Sequence, residues 1–182
     1  MDASSTRSIR FFAIGAHAAC GHRYGGHPYD WHLDGVVDEL HKYGYDVGQY
    51  DAVAYLHDVI EDTQVTEGDL LRRGVPKDVV RAVLFVTDEP GDNRKVRKAL
   101  TYARVRRQKK RNSPAIRLGL VVKWADRLSN IRASHKSGDN MLWLYRKEAA
   151  EFREVYMPCE RHPLANDPKF LAMVADYDKL VT

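Results

Sequence analysis

AYLHDVIEDT, residues 54–63, sets one histidine and three acids (His57, Asp58, Glu61 and Asp62) among Ala54, Leu56, Val59 and Ile60. The apolar positions recur at helical spacing, so the stretch predicts a helix that turns one face to a core. Charged side chains beside a core are costly unless they are paired, hydrogen-bonded or bound to metal. On a regular helix each residue turns by about 100°, so His57 and Glu61 lie about 40° apart, as do Asp58 and Asp62, and the four groups share one cleft. An imidazole beside a carboxylate is a suitable ligand pair for Mn²⁺, Zn²⁺ or Fe²⁺.

The same spacing recurs along the chain and predicts an all-α fold. Helical patterns run through RSIRFFAIGAHAAC (7–20), LDGVVDELHKYG (33–44), DVGQYDAVAYLHDVIEDT (46–63) and PKDVVRAVLFVTD (76–88). AIRLGLVVKWADRLSNIRAS (115–134) carries Val121, Trp124, Ala125, Leu128 and Ile131 at steps of three and four, a buried helix face. DNMLWLYRKEAAEFREVY (139–156) and DPKFLAMVADYDKL (167–180) read as two closing helices. Thr66 suits a helix N-cap before TEGDLLRRG, and Pro76 suits a first helical turn. GHRYGGHPYDWH (21–32) reads as a glycine-rich loop. With 182 residues, no internal repeat and no long linker, the expectation is a single domain over 1–182 with the site in a central cleft of a helical bundle.

Charge and cysteine usage narrow the setting. Residues 94–111, RKVRKALTYARVRRQKKR, hold ten Lys/Arg and no acid, which leaves −6 for the rest of a chain whose net charge is +4. That segment must meet solvent, a polyanion or an acidic ligand. Cys20 and Cys159 make neither a disulfide framework nor a CxxC metal motif, so reduced thiols and a cytoplasmic location are expected. No apolar run approaches the roughly 20 residues that a membrane span needs, and the N-terminus does not read as a signal peptide.

Two ligands on one turn cannot complete a metal site. His32, at the end of the glycine-rich stretch, and Asp126, in KWADRLSN, are the candidates to join His57 and Asp58. Glu61 and Asp62 would then orient water or move its proton.

The joint pattern resembles the HD-superfamily hydrolases, and within them the stringent-response branch that includes the RelA/SpoT hydrolase domain and the small alarmone hydrolases. AYLHDVIEDT is similar to that branch's H-D-x-x-E-D-T motif, and VVKWADRLSNIRAS to its K-x-A-D-[KR]-L-x-N motif. AHAACGHRYGGHPYDWH (16–32) resembles its A-H…R…P-Y-x-x-H stretch, and VTDEPGDNRKVRK (86–98) its V-T-D-D…K-x-x-R-K stretch. The four motifs stand in the family order.

The resemblance implies one metal, usually Mn²⁺, held by His32, His57, Asp58 and Asp126, with Glu61 and Asp62 as the catalytic acid pair. It implies that Arg23 lies against a purine, that Arg94, Arg97 and Lys98 contact phosphate, and that Asn130 faces the ribose. The implied reaction removes pyrophosphate from the 3′ position of ppGpp or pppGpp to give GDP or GTP, in a stand-alone hydrolase. Tyr24, Leu33 and Ser129 depart from the usual family residues near the purine, so (p)ppApp and NADPH stand as alternative substrates. A broader HD nucleotide phosphatase acting on monophosphates is a further enzyme reading. A nucleic-acid-binding protein using segment 94–111 is the non-enzyme reading, weakened by the absence of a recognised module and of interleaved aromatics. The part of the basic run from Arg104 to Arg111 reads foremost as a solvated helix face or an ordered loop.

Overall fold

The computed structural model describes residues 1–182 as helices around one buried helix. In chain order they are α1 (Ala3–Ala19), α2 (Asp30–Lys42), α3 (Gly48–Leu56), α4 (Val59–Asp62), α5 (Glu67–Arg72), α6 (Lys77–Val86), α7 (Arg94–Gln108), α8 (Pro114–Ser137), α9 (Met141–Tyr156) and α10 (Pro168–Val181). A 3₁₀ turn covers Pro163–Asn166, and the one sheet pairs β1 (Arg23–Tyr24) with β2 (His27–Pro28). No helix is long and apolar enough to cross a membrane.

Helix α8 is the axis of the fold. It packs against α2, α3, α6, α9 and α10. Residues that succeed one another in sequence, such as Leu120, Val121 and Val122, are all buried. The sequence pattern predicts one apolar stripe; the helix is instead surrounded, as a helix hydrophobic on all sides must be. Ser113 caps its N-terminus by accepting from the Ile116 N–H, Pro114 occupies the first turn, and Gly138 ends it at φ 68°. Gly119 lets α6 approach closely: a Cβ there would stand 2.5 Å from Phe85 Cδ1 and 3.3 Å from the Ala82 carbonyl oxygen. The buried hydrophobic side chains of all these helices form one contiguous cluster.

Two local features differ from the sequence reading, and both shape the site. The helix expected over 46–63 is interrupted: α3 stops at Leu56, His57 and Asp58 form a turn, and α4 restarts at Val59. The apolar period continues through the break, which is why sequence spacing does not reveal it. The glycine-rich stretch is a small hairpin in which Arg23 pairs with Pro28 and Tyr24 with His27. Its turn residues Gly25 and Gly26 have φ of 54° and 86°, the left-handed geometry that tight two-residue hairpins require. Helix α2 begins at Asp30, so His32 sits in its first turn, at the start of a helix as the sequence suggests.

The start of α5 matches its sequence signal closely. Thr66 and Asp69 form a reciprocal capping box, with the Thr66 hydroxyl oxygen accepting from the Asp69 N–H and the Asp69 carboxylate accepting from the Thr66 N–H.

Candidate metal centre

Three distant segments bring their donor atoms together. His32 Nε2 on α2 lies 3.2 Å from His57 Nε2. His57 Nε2 lies 3.0 Å from Asp58 Oδ2, and His32 Nε2 lies 3.7 Å from the same oxygen. From α8, Asp126 Oδ1 stands 3.5 Å from His32 Nε2 and 3.7 Å from His57 Nε2. His32, His57 and Asp58 each offer a donor within 4.8 Å of the others. His57 and Asp58 form the turn between α3 and α4 with near-helical backbone (φ −58°, ψ −36° and φ −103°, ψ −4°), and their donor atoms meet at 3.0 Å.

The donor set suits a divalent ion. Neighbouring ligands at about 2.1 Å from a metal stand about 3.0–3.4 Å apart in octahedral or tetrahedral shells. His57 Nδ1 lies 2.6 Å from the Ala54 carbonyl oxygen, to which it donates, and this leaves the Nε2 lone pair for the cleft. Two imidazole nitrogens and two carboxylates converge here, with Lys123 on the far oxygen of Asp126. The electrostatics tie the rings to the carboxylates. Burial disfavours a charged His57, yet Asp58, its hydrogen bond and Asp126 outweigh burial and push the ring up to about 9. Burial, seconded by His57, lowers His32. Burial also opposes ionisation of Asp58, but His57 and His32 hold it well below the usual carboxylate range.

Neighbouring groups fix the donors. The Tyr29 hydroxyl donates to Asp58 Oδ2 and lies 3.4 Å from Asp62 Oδ2. Sequence reasoning gave Tyr29 no role, although its position three residues before His32 on the P-Y-x-x-H pattern carries the signal. Asn130 Nδ2 donates to Asp126 Oδ1 at 2.6 Å, and its own Oδ1 accepts from the Tyr24 hydroxyl at 2.6 Å. Asn130 therefore links the candidate ligand Asp126 to the aromatic wall beyond it. Lys123 Nζ stands 3.1 Å from Asp126 Oδ2, and Asp126 outweighs burial to hold the ammonium well above its ordinary value.

The acid pair splits in two. Asp62 faces the centre through Tyr29, whereas Glu61 accepts from the Asp88 N–H at 3.1 Å and lies 3.7 Å from Arg97. Both carboxyls are pushed up, Glu61 chiefly by burial and Asp62 by burial and then by Asp58. Asp58 and Asp62 keep the shared face expected of them, joined by the Asp62 N–H to Asp58 carbonyl bond at 2.9 Å and both reached by the Tyr29 hydroxyl, whereas Glu61 turns to Asp88 and Arg97.

Two clefts adjoin the centre. A cationic pocket of about 140 Å³ is lined by Asp126 and Asn130 together with Arg94, Lys98, Lys123 and Arg127. A larger cleft of about 520 Å³ has an aromatic wall of Tyr24, His27, Trp31 and Tyr145. Tyr145 and Met141 line both. Tyr24 stacks on His32 at 4.6 Å and on Trp31 at 5.6 Å between ring centroids.

The remaining sequence candidates fall as follows. Arg94 and Lys98 reach the cationic pocket. Arg97 is directed to Glu61. Arg23 is exposed, its guanidinium donating to the Gly26 carbonyl, and it is not among the residues lining the aromatic cleft; Tyr24, next to it, is. From Arg104 onward the basic run is helical to Gln108, and several of its cations are spent on structure. Arg104 donates to the Phe85 and Thr87 carbonyls at 3.1 and 2.5 Å, and Arg106 pairs with Glu154 at 2.5 Å. No protein-family model matches this chain, and no curated protein matches it.

Proposed function

We propose that the chain is a metal-dependent phosphohydrolase of the HD type that acts on a guanosine alarmone, converting ppGpp or pppGpp to GDP or GTP plus pyrophosphate. The observation that carries this reading is a two-histidine, two-aspartate donor set whose Asp126 lines a cationic pocket and whose His32 stacks on Tyr24 of an aromatic cleft. A nucleotide bearing phosphate on its ribose has matching parts: a flat base for aromatic faces, phosphates for guanidinium and ammonium groups, and a phosphorus for the metal.

His32, His57, Asp58 and Asp126 would hold the ion, with Mn²⁺ favoured by the motif resemblance. When bound, a divalent ion supplies Lewis acidity and lowers the pKa of a coordinated water. The chain's own groups do the rest. Tyr29 holds Asp58 and faces Asp62, whose carboxyl is raised by burial and by Asp58 and which stands where it can take a proton from the attacking water. Water adds to the 3′-linked phosphorus, the bond from phosphorus to the ribose 3′ oxygen breaks, and that oxygen takes up a proton. Arg94 and Lys98 neutralise phosphate charge. Tyr24 and Trp31 offer ring faces to the base.

The same cleft suits an adenine base, so (p)ppApp and NADPH belong in the assay beside ppGpp. Purified protein with Mn²⁺ is expected to release pyrophosphate from ppGpp, and chelation or Asp58→Ala to reduce turnover by about 10³-fold or more. Orthophosphate as the product would favour a nucleotide monophosphatase. Undiminished turnover in the Asp58→Ala protein would remove the metal mechanism.

A further inference from the structure

Glu148, on α9, had no part in the sequence reading, yet three cations converge on it. Arg94 Nη2 stands 3.1 Å from its Oε1 and 3.3 Å from its Oε2. Arg127 Nη1 stands 3.4 Å from Oε2, and the Lys98 ammonium touches the same oxygen. Glu148 is mostly buried, as are Lys98 and Arg127. Arg127 is wedged between the rings of Tyr145 and Phe152, 4.9 and 4.3 Å from their centroids, so it has little freedom to leave.

All three cations line the pocket that also holds Asp126 and Asn130. Four cations, Arg94, Lys98, Lys123 and Arg127, stand in and beside this pocket against the carboxylates of Asp88, Asp126 and Glu148, which leaves one positive charge in excess. A second observation points to a missing anion. Tyr102 lines the same pocket, is only 3% exposed, and its hydroxyl is buried without a hydrogen-bond partner. A buried hydroxyl donor costs free energy unless an acceptor reaches it.

We infer that Glu148 is an internal competitor for the phosphate site: its carboxylate occupies the cations that a diphosphate group would otherwise engage, and the ligand must take Arg94, Lys98 and Arg127 from it while supplying an acceptor to Tyr102. A carboxylate and a phosphate present similar acceptor oxygens to guanidinium and ammonium groups, so one replaces the other without new donors. The glutamate keeps the cations ordered in the free protein and sets how many phosphate charges a ligand needs before it displaces the carboxylate. The inference rests on the phosphohydrolase reading for the identity of the ligand.

The test is binding of inorganic pyrophosphate, followed by calorimetry, to Mn²⁺-loaded wild-type and Glu148→Gln proteins. Removing the competing charge is expected to tighten binding by about tenfold or more, the size of a charge-assisted hydrogen bond. It should also lower the melting temperature of the free protein while enlarging the upward shift that pyrophosphate produces. A Glu148→Asp protein keeps the charge on a shorter arm. It should bind more tightly than wild type by a smaller factor, and it serves where the glutamine variant does not fold. If wild type binds pyrophosphate and both variants bind it equally or more weakly, Glu148 merely holds the cations in place; the competitor role falls and the phosphate reading survives. If none of the proteins binds pyrophosphate, the phosphate reading fails and takes this inference with it.

Discussion

The turn at His57–Asp58 and the basic helix α7 are the two most charged features of the chain, and they treat charge in opposite ways. Around the turn, imidazoles and carboxylates from α2, α8 and the break after α3 face one another within 3.0–3.7 Å. Lys123 is the one cation that reaches in, on the far oxygen of Asp126. On α7 most cations have already been answered by the protein: Arg94 and Lys98 by Glu148, Arg97 by Glu61, Arg104 by Glu89 and two carbonyls, and Arg106 by Glu154. A run of like charge in sequence therefore indicates little about a site until its partners are known. Donors that face one another from three segments can share one ion. Cations matched by acids hold helices together, although Arg94 and Lys98 among them also line the pocket beside Asp126.

The comparison can be broken first at Tyr29. Tyr29→Phe removes the hydroxyl that holds Asp58 while keeping the ring stacked on His17. Metal affinity or turnover should fall by about 10–100-fold, the usual cost of losing a group that orients a metal ligand, with thermal stability nearly unchanged. Metal titration and initial rates check this, and unchanged values would show that Asp58 needs no such support. Arg104→Ala tests the other side. It strips two carbonyl acceptors at the end of α6 of a partly buried donor. A loss of about 1–3 kcal/mol in denaturant unfolding is expected, with intact metal binding.

A smaller effect is expected from His17, on α1. Burial lowers its pKa to about 4, with Asp58 opposing and His22, His57 and His32 adding to the shift. Between about 6.5, the ordinary histidine value, and about 4, the unfolded chain holds a proton that the folded ring does not. Stability contributed by the neutral ring is thus present above that window and is lost as pH falls through it. His17→Phe keeps an aromatic ring against Tyr29 and removes the titration, so its stability should change less than that of wild type between pH 6.5 and 4. Parallel melting curves at several pH values would read this; identical slopes would contradict it. The smallest effect belongs to Arg106→Ala, an exposed pair with Glu154, at about 0.2–1 kcal/mol. A larger loss would mean that the α7–α9 contact depends on that ion pair.

Much of the fold was legible because helical period and caps are local signals. Thr66 begins α5, and the apolar spacing of 115–134 marks the central helix. The four donor residues were also legible, since histidine and aspartate beside apolar helical runs are conspicuous. The break at His57–Asp58 was not, because the same apolar period runs through α3 and α4. Glu148 and Tyr29 were missed for a related reason: each is an ordinary residue on its own helix, and only tertiary contact with Lys98 and Arg127, or with Asp58, gives it a role. The position of Arg23 likewise depends on a hairpin turn that directs its guanidinium to Gly26.

The most direct test of the account is a metal count. Wild-type, His57→Ala and Asp58→Ala proteins would be equilibrated by dialysis against the same Mn²⁺ solution, and bound metal would be measured per chain. The account predicts about one ion per wild-type chain and nearly none in either variant, with all three proteins folded by circular dichroism, as expected for a site in which each ligand is essential. A wild-type protein without bound metal, or variants that retain it in full, would contradict the convergence of His32, His57, Asp58 and Asp126 on a single ion.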